Sequence, residues 1–186
     1  MVLISTQQIP KSAQRSHAHS LLGECLKEYG VDYVFGETPL IFGEHGKPSL
    51  AEYPGLHFNI SHADGIAAAI VSEFECGIDC ERVRPYRESV LRRCYSKAER
   101  RAIEAAVGSE HDFLFFKLWT LKEAYIKALG IGLSFPLRNA EFLLDGDEIN
   151  TNLSGCSFSQ YAVKNEFVVS VCELSDRCRP HIIRYL

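Results

Sequence analysis

The sequence has no long apolar segment. Its 186 residues contain no run approaching the roughly 18 apolar residues that a membrane-spanning helix requires. The apolar stretch at the start, within Met1–Thr6, is also too short to be the core of a signal peptide. These two absences argue against a membrane protein and predict a location in the cytoplasm.

Paired cysteine motifs are missing as well. The number of cysteines, seven, is odd, and no two of them have the C-x-x-C spacing of a zinc or redox site. They are Cys25, Cys76, Cys80, Cys94, Cys156, Cys172 and Cys178. We therefore expect neither a disulfide framework nor a zinc site, and we interpret the cysteines as reduced thiols.

The composition that remains is that of an ordinary globular protein, but its charge is uneven. Hydrophobic residues make up 46% of the chain, charged residues 24%, and the net charge is −4. The segment Arg82–Arg101 contains eight basic residues and two glutamates, so its own net charge is +6. Such a segment is typical either of a docking face for an acidic partner or of a solvated helix face, and charge alone leaves both open.

The hydrophobic pattern predicts an α+β chain with antiparallel strands rather than parallel βαβ units. A capping box at Ser96–Glu99 and a cap at Ser109 indicate where two helices begin. The predicted elements are helices over 11–29, 97–107 and 109–129, strands over 57–62, 66–71 and 76–81, a meander over 141–144, 158–163 and 167–172, and an edge strand over 181–185. We expect two halves, residues 1–75 and 76–186.

Two histidines near the start of the first helix, His17 and His19, are interpreted as ordinary surface residues.

The predicted helix over 109–129 is apolar nearly all round, which is typical of a buried helix. At about 100° per residue, Glu123 lies almost opposite its main apolar stripe, and Lys127 follows one turn later on the same side. Phe116, Trp119 and Ile126 flank that side. We therefore expect Glu123 to lie in a crevice, where a lone carboxylate needs a cation or a hydrogen-bond partner.

Two further acids occur on the strand predicted over 76–81. Asp79 and Glu81 are two residues apart, so they share one face and repel each other unless something positive lies between them. Together with Glu123 they offer the hard oxygen ligands that suit Mg²⁺ or Mn²⁺. Lys127 could then ligate a phosphate, and Lys122 could flank the site. The residues alone leave a second interpretation open, a cluster of lysine–glutamate salt bridges.

The motifs resemble those of a known family. G-I-D-x-E at Gly77–Glu81, followed 36 residues after Glu81 by K-L-W-T-L-K-E-A-Y-I-K at Lys117–Lys127, resembles the signature of 4'-phosphopantetheinyl transferases of the surfactin-synthetase type. Gly46–Pro48, Phe58–His62 and Gly130–Ser134 match further motifs of that family in the expected order. The resemblance covers about residues 46–137.

The resemblance implies an α+β fold of two similar halves related by a pseudo-twofold, with coenzyme A bound in the cleft between them. It also implies Mg²⁺-dependent transfer of phosphopantetheine from coenzyme A to a serine of a carrier protein, leaving adenosine 3',5'-bisphosphate. The shorter trimeric holo-carrier synthases carry G-I-D near the N-terminus. Here the motif is in mid-chain, at Gly77–Asp79, which favours a monomeric pseudo-dimer.

Site residues follow from the resemblance position by position. It implies Asp79, Glu81 and Glu123 as metal ligands, with Glu123 also the base for the carrier serine, directly or through water. It implies Lys127 for the pyrophosphate. The coenzyme A contacts that it implies are Ser61 and His62 at the phosphates and Lys47 at the adenine end. Lys122, expected to flank the site, is predicted as a further contact of coenzyme A.

The N-terminal helix departs from the family pattern. Members usually have an arginine just before the leucine pair, whereas His19 and Ser20 precede Leu21–Leu22 here. Arg15, one turn earlier, is the expected substitute for this contact with coenzyme A.

The basic segment would suit an acidic carrier protein. Two alternatives stay open, a coenzyme A-binding module without transferase activity and another Mg²⁺ enzyme of phosphodiesters such as a nuclease, although the acidity of the remaining chain does not favour nucleic acid.

Overall fold

A computed structural model describes residues 1–176 and 181–186. Its helices are α1 (Gln14–Lys27), α2 (Glu88–Cys94), α3 (Lys97–Ala105) and α4 (Ser109–Leu129), with short 3₁₀ turns at Lys11–Ala13, Gly132–Ser134 and Leu137–Asn139. Its strands are β1 (Val2–Ser5), β2 (Leu40–Phe42), β3 (Pro48–Leu50), β4 (His57–Ala63), β5 (Ile66–Ser72), β6 (Cys76–Arg82), β7 (Phe142–Asp145), β8 (Glu148–Thr151), β9 (Ser157–Val163), β10 (Phe167–Glu173) and β11 (Ile183–Tyr185). The α+β class is confirmed.

Two sheets form the centre of the fold, and they repeat one topology. The first sheet has the order β11-β1-β5-β4 and the second has the order β6-β10-β9. In each, a first strand leads through a long helix, α1 or α4, to an antiparallel hairpin whose second strand pairs with the first strand. This repetition is consistent with the two similar halves expected from the sequence. The boundary between residues 75 and 76 stays a prediction.

Side chains along each strand alternate between the two faces of its sheet, so the core is built in layers. Residues such as Val2 and Ile70 of the first sheet pack against Ile78 and Val169 of the second. The other face of the first sheet is covered by α1, and the other face of the second by α4. Because strand side chains alternate between faces, Ile78 and Cys80 point between the sheets, as expected. Asp79 and Glu81 therefore lie on the α4 side of β6.

Several local predictions are confirmed. Ser96 and Glu99 form the capping box reciprocally at the start of α3. The strand predicted over 181–185 pairs with β1 as the parallel edge strand β11. The cysteines of the described residues are free thiols, whereas Cys178 lies outside the described residues.

Two local predictions are wrong. Ser109 is not a cap, because α4 begins at Ser109 itself after Gly108, whose φ of 65° turns the chain, and no side chain caps this end. The meander is not continuous either. Strand β7 pairs with β8 in a separate hairpin, while β10 lies between β9 and β6.

No helix within the described ranges is long and apolar enough to cross a membrane.

Candidate active site

A glycine brings the central helix directly onto the strand that carries two of the acids. A Cβ atom at Gly77 would lie 2.0 Å from the carbonyl oxygen of Ala124 and 2.4 Å from the backbone nitrogen of Ala128. Any side chain at this position would therefore force α4 away from β6. The close approach places Glu123 and Lys127 of α4 beside the acidic face of β6.

Lys127 is held by three acceptors at this junction. Its Nζ donates hydrogen bonds to Asp79 Oδ1 at 2.7 Å, Ser61 Oγ at 3.1 Å and the carbonyl oxygen of Ile78 at 3.1 Å. An ammonium group has three donors, so all of them are engaged. Burial alone would lower the pKa of Lys127, but the Asp79 carboxylate outweighs it and the pKa is raised. Lys127 is therefore a permanent cation of this site.

The two oxygens of Asp79 have different surroundings. Oδ1 accepts from Lys127 and also from Ser61 Oγ at 2.9 Å. Oδ2 is buried and has no hydrogen-bond partner within the described part of the chain. A buried oxygen without a partner costs about 1–3 kcal/mol, so its presence calls for a ligand. A divalent cation that prefers oxygen would satisfy it.

Glu81 has a cation of its own. Its Oε2 accepts a hydrogen bond from Arg84 Nη1 at 2.7 Å, and the Arg84 guanidinium lies 4.7 Å from the centre of the Phe116 ring. Burial raises the pKa of Glu81, and the hydrogen bond from Arg84 partly offsets that effect. The basic segment therefore begins in direct contact with the acids.

The charges of both other carboxylates affect the pKa of Glu123. Burial and, after it, the charges of Asp79 and Glu81 raise its pKa to about 7, although the charge of Lys127 lowers it. Asp79 disfavours the charge of Glu81, and both disfavour the charge of Glu123, which is an electrostatic environment that a divalent cation would relieve. Within residues 1–176 and 181–186, however, no group of three His, Cys, Asp or Glu side chains is arranged as a metal site. The donor chemistry fits Mg²⁺ or Mn²⁺, while Lys127 and Arg84 hold two of the acids.

A cleft of about 540 Å³ opens beside this cluster. Four of the predicted ligand residues line it, namely Arg15, Ser61, His62 and Lys127. Its apolar wall includes Phe35, Leu40, Phe42, Pro48 and Ile60. A neighbouring cavity of about 300 Å³ is lined by Lys47, Glu123 and Lys127, among others, and so links the acids to the turn at Gly46–Pro48.

Lys47 anchors that turn to the end of α4. Its Nζ donates to Glu75 Oε2 and, at 2.6 Å, to the carbonyl oxygen of Ala128. Its side chain passes over Gly130, where a Cβ atom would lie 2.9 Å from Lys47 Cδ. A cation at a helix C-terminus is favourable, so Lys47 stabilises this end of α4 as well as the turn.

Lys122 is not part of the cleft, and its predicted contact with coenzyme A is wrong. Its side chain is 0% exposed and forms an ion pair with Glu99 at 2.8 Å. Its Nζ also donates to the carbonyl oxygens of Leu137 and Ala140. Lys122 points to α3, where the capping-box glutamate fixes it, and a side chain without exposed surface cannot contact a ligand.

His19 belongs to the cleft, and its interpretation as a surface residue is wrong. It is 5% exposed, its Nδ1 lies 2.7 Å from Tyr33 Oη, and its ring stacks on Phe35 with centroids 3.8 Å apart. Burial lowers the pKa of His19, and the charge of Arg15 lowers it further. The signal in the sequence was its place just before Leu21–Leu22, where the family pattern has an arginine.

Comparison with known proteins identifies the class. Residues 75–172 match the family model of the 4'-phosphopantetheinyl transferase superfamily. The chain is 31% identical over 185 residues to the 4'-phosphopantetheinyl transferase Sfp of Bacillus subtilis (strain 168), with 92% of this chain and 83% of that protein covered. The chain therefore belongs to the 4'-phosphopantetheinyl transferase superfamily, and it is an enzyme that transfers 4'-phosphopantetheine.

Its similarity to further relatives agrees with the surfactin-synthetase-type group. The chain is 27% identical over 172 residues to the 4'-phosphopantetheinyl transferase psf-1 of Bacillus pumilus, with 88% of this chain and 74% of that protein covered.

Among solved structures, the holo-[acyl-carrier-protein] synthase of Thermotoga maritima is 23% identical and has a TM-score of 0.47, with 56% of this chain and 64% of that chain covered.

Proposed function

We propose that this enzyme transfers 4'-phosphopantetheine from coenzyme A to a serine of an acyl or peptidyl carrier protein, in a Mg²⁺-dependent reaction. The observation that carries the proposal is the junction of β6 and α4, where Asp79, Glu123 and Lys127 meet beside a cleft. The volume of this cleft, about 540 Å³, is within the roughly 300–1,000 Å³ of ordinary small-ligand sites.

Asp79, Glu81 and Glu123 are the residues that would hold the cation, Mg²⁺ or alternatively Mn²⁺. Support comes from the partnerless Oδ2 of Asp79 and from the raised pKa of Glu123. When bound, the ion supplies positive charge that stabilises the phosphate oxygens of the substrate.

Glu123 is the proposed base for the carrier serine. A serine hydroxyl is a poor nucleophile at neutral pH and needs a base within hydrogen-bond reach. The Glu123 carboxylate lines the cavity beside Lys127, which places it within reach of a serine that enters there. In the proposed step the serine oxygen bonds to the phosphorus next to pantetheine while Glu123 takes its proton. The P–O bond to the bridging oxygen breaks, and this oxygen leaves with adenosine 3',5'-bisphosphate.

Coenzyme A is proposed to bind in the cleft. Lys127 is the proposed contact of the pyrophosphate, because it is a cation beside Glu123. A phosphate oxygen there would replace one of the three acceptors that now hold its Nζ. Arg15 and His62, both exposed in the cleft, would meet further phosphate oxygens. Lys47, which lines the neighbouring cavity, would meet the adenine end. Ser61 lines the same cleft, but its hydroxyl is already engaged by Asp79, Lys127 and the backbone of Cys80.

The basic segment is the proposed docking face for an acidic carrier protein. Arg82, Arg84 and Arg92 pair with acids of this chain, but Arg87, Arg92 and Arg93 on and before α2 are exposed. We propose a monomer, because one chain carries both sheets of the repeated topology. We also propose that it acts in the cytoplasm, with free thiols at all the described cysteines as support.

The test is an assay with coenzyme A, Mg²⁺ and several apo-carrier proteins, followed by intact-mass spectrometry. We expect one phosphopantetheine adduct, on the carrier serine, and release of adenosine 3',5'-bisphosphate. Binding of coenzyme A without an adduct on any carrier would contradict the proposal and favour a binding module. Cleavage of a nucleic acid phosphodiester in place of transfer would favour the other Mg²⁺ enzyme.

A further inference from the structure

Strand β4 lies at an edge of the first sheet, and β6 lies at an edge of the second. No backbone ladder joins β4 to β6 in the described residues. Side chains of β4 replace the missing bonds. Asn59 Oδ1 accepts from the backbone N–H of Ile78 at 3.0 Å, and Ser61 Oγ accepts from the N–H of Cys80 at 3.2 Å. Asn59 and Ser61 are two residues apart, so both lie on one face of β4.

These two hydrogen bonds lie on either side of Asp79 along β6. Ile78 and Cys80 are the neighbours of Asp79 on β6, so its backbone is fixed on both sides by β4. Ser61 also donates from Oγ to Asp79 Oδ1 at 2.9 Å, which fixes the side chain. Both the backbone and the carboxylate of Asp79 therefore depend on β4.

The hydrogen-bond capacity of Ser61 is fully used. A hydroxyl has one donor and two acceptor sites. The donor goes to Asp79, and the two acceptor sites are taken by the N–H of Cys80 and by Lys127 Nζ at 3.1 Å. Ser61 is 7% exposed. A phosphate could take a hydrogen bond from Ser61 only if Asp79 lost one.

We propose that Ser61, assisted by Asn59, is a positioning residue for Asp79, which accepts the one hydrogen bond that the Ser61 hydroxyl can donate. By holding Oδ1, Ser61 leaves Oδ2 as the oxygen available to a cation. This inference rests on the proposed function, in which Asp79 is a metal ligand. Residues that orient metal ligands typically contribute about 10- to 100-fold to metal affinity when they are removed by mutation.

The test is the affinity of the coenzyme A-free protein for Mn²⁺, measured by electron paramagnetic resonance. We expect Ser61→Ala to weaken binding by about 10-fold or more and Ser61→Thr, which keeps the hydroxyl, to restore most of it. In transfer assays Ser61→Ala should lower kcat and leave KM for coenzyme A unchanged.

Ser72→Ala is the matched control. Ser72 is also 7% exposed and also donates to a buried carboxylate, that of Glu173, but it has no part in the proposed site. The control should keep the Mn²⁺ affinity, kcat and KM of the unsubstituted protein.

Two results would overturn the inference. One is Mn²⁺ affinity of Ser61→Ala equal to that of Ser72→Ala, and the other is a rise in KM for coenzyme A at unchanged kcat, which is the behaviour of a direct ligand. The failure of the proposed function is distinguishable, because the unsubstituted protein would then neither bind Mn²⁺ nor modify a carrier.

Discussion

Glu123 is the acid whose charge is least favourable in the absence of a cation. It lies on a buried helix, and the carboxylates of Asp79 and Glu81 oppose its ionisation more than its position near Lys127 favours it. A group whose pKa is raised on folding binds its proton more tightly in the folded state. Its contribution to stability is therefore present at low pH and is lost as the pH rises through the folded-state pKa.

This argument predicts the pH dependence of the variant Glu123→Gln in metal-free protein. At pH 4 the glutamate is protonated in the folded state and largely protonated in the unfolded state, so the variant and the unsubstituted protein should be nearly equally stable. At pH 8 the variant should be more stable by about 3 kcal/mol, because it lacks the unfavourable charge. Urea unfolding in the presence of a chelator measures both values. A difference that stays the same from pH 4 to pH 8 would refute the assigned environment.

The sequence predicts which residues carry chemistry better than it predicts their partners. Alternation along β6 was enough to put Asp79 and Glu81 on one face. Helical periodicity gives the angle of Lys122 around α4 but not its neighbour, and that neighbour is Glu99 of α3. His19 was misinterpreted for the same reason, because Tyr33 and Phe35, which bury it, lie in an irregular loop.

Gly77 decides the contact between strand and helix, and so provides a test at the level of elements. Gly77→Ala would place a Cβ atom 2.0 Å from the Ala124 carbonyl oxygen. Overpacking of this kind costs about 1–3 kcal/mol, and here it would also move α4 away from the acids on β6. We expect lower stability together with loss of transfer activity.

Gly55→Ala is the control for this variant, since a Cβ atom at Gly55 meets nothing within 4 Å. Thermal unfolding and transfer assays of both variants decide the matter. A Gly77→Ala protein as stable and active as the control would contradict the close packing of α4 on β6.

Elements with a strong local signal could be predicted, and their pairing could not. The capping box of α3 and the strands β4, β5 and β6 follow from local pattern. Alternation shows that 141–144 is a strand but says nothing about its partner, so the sequence pattern assigns this strand to a meander and does not predict β8, with which it pairs. Pairing depends on contacts distant in sequence, which a local pattern does not contain.

On the scale of the whole molecule, the uneven charge predicts how the carrier protein binds. Reversal of both charges in Arg92→Glu/Arg93→Glu should raise KM for an acidic carrier several-fold and leave the affinity for coenzyme A unchanged, because both side chains are exposed on α2. The effect should shrink as salt is added.

The control reverses two exposed lysines outside the basic segment, Lys27→Glu/Lys164→Glu, with the same change in net charge. Steady-state kinetics with carrier as the varied substrate compares the two proteins. Equal KM values would show that net charge, and not the basic segment, governs docking.

The most direct test of the site is the rate at which Glu123→Gln modifies an apo-carrier protein with coenzyme A and Mg²⁺, followed by intact mass. The account predicts that the unsubstituted protein forms the phosphopantetheine adduct and that the variant forms none, while calorimetry detects coenzyme A binding to both. Adduct formation by the variant at the full rate would contradict the assignment of Glu123 and of the junction between β6 and α4 as the active site.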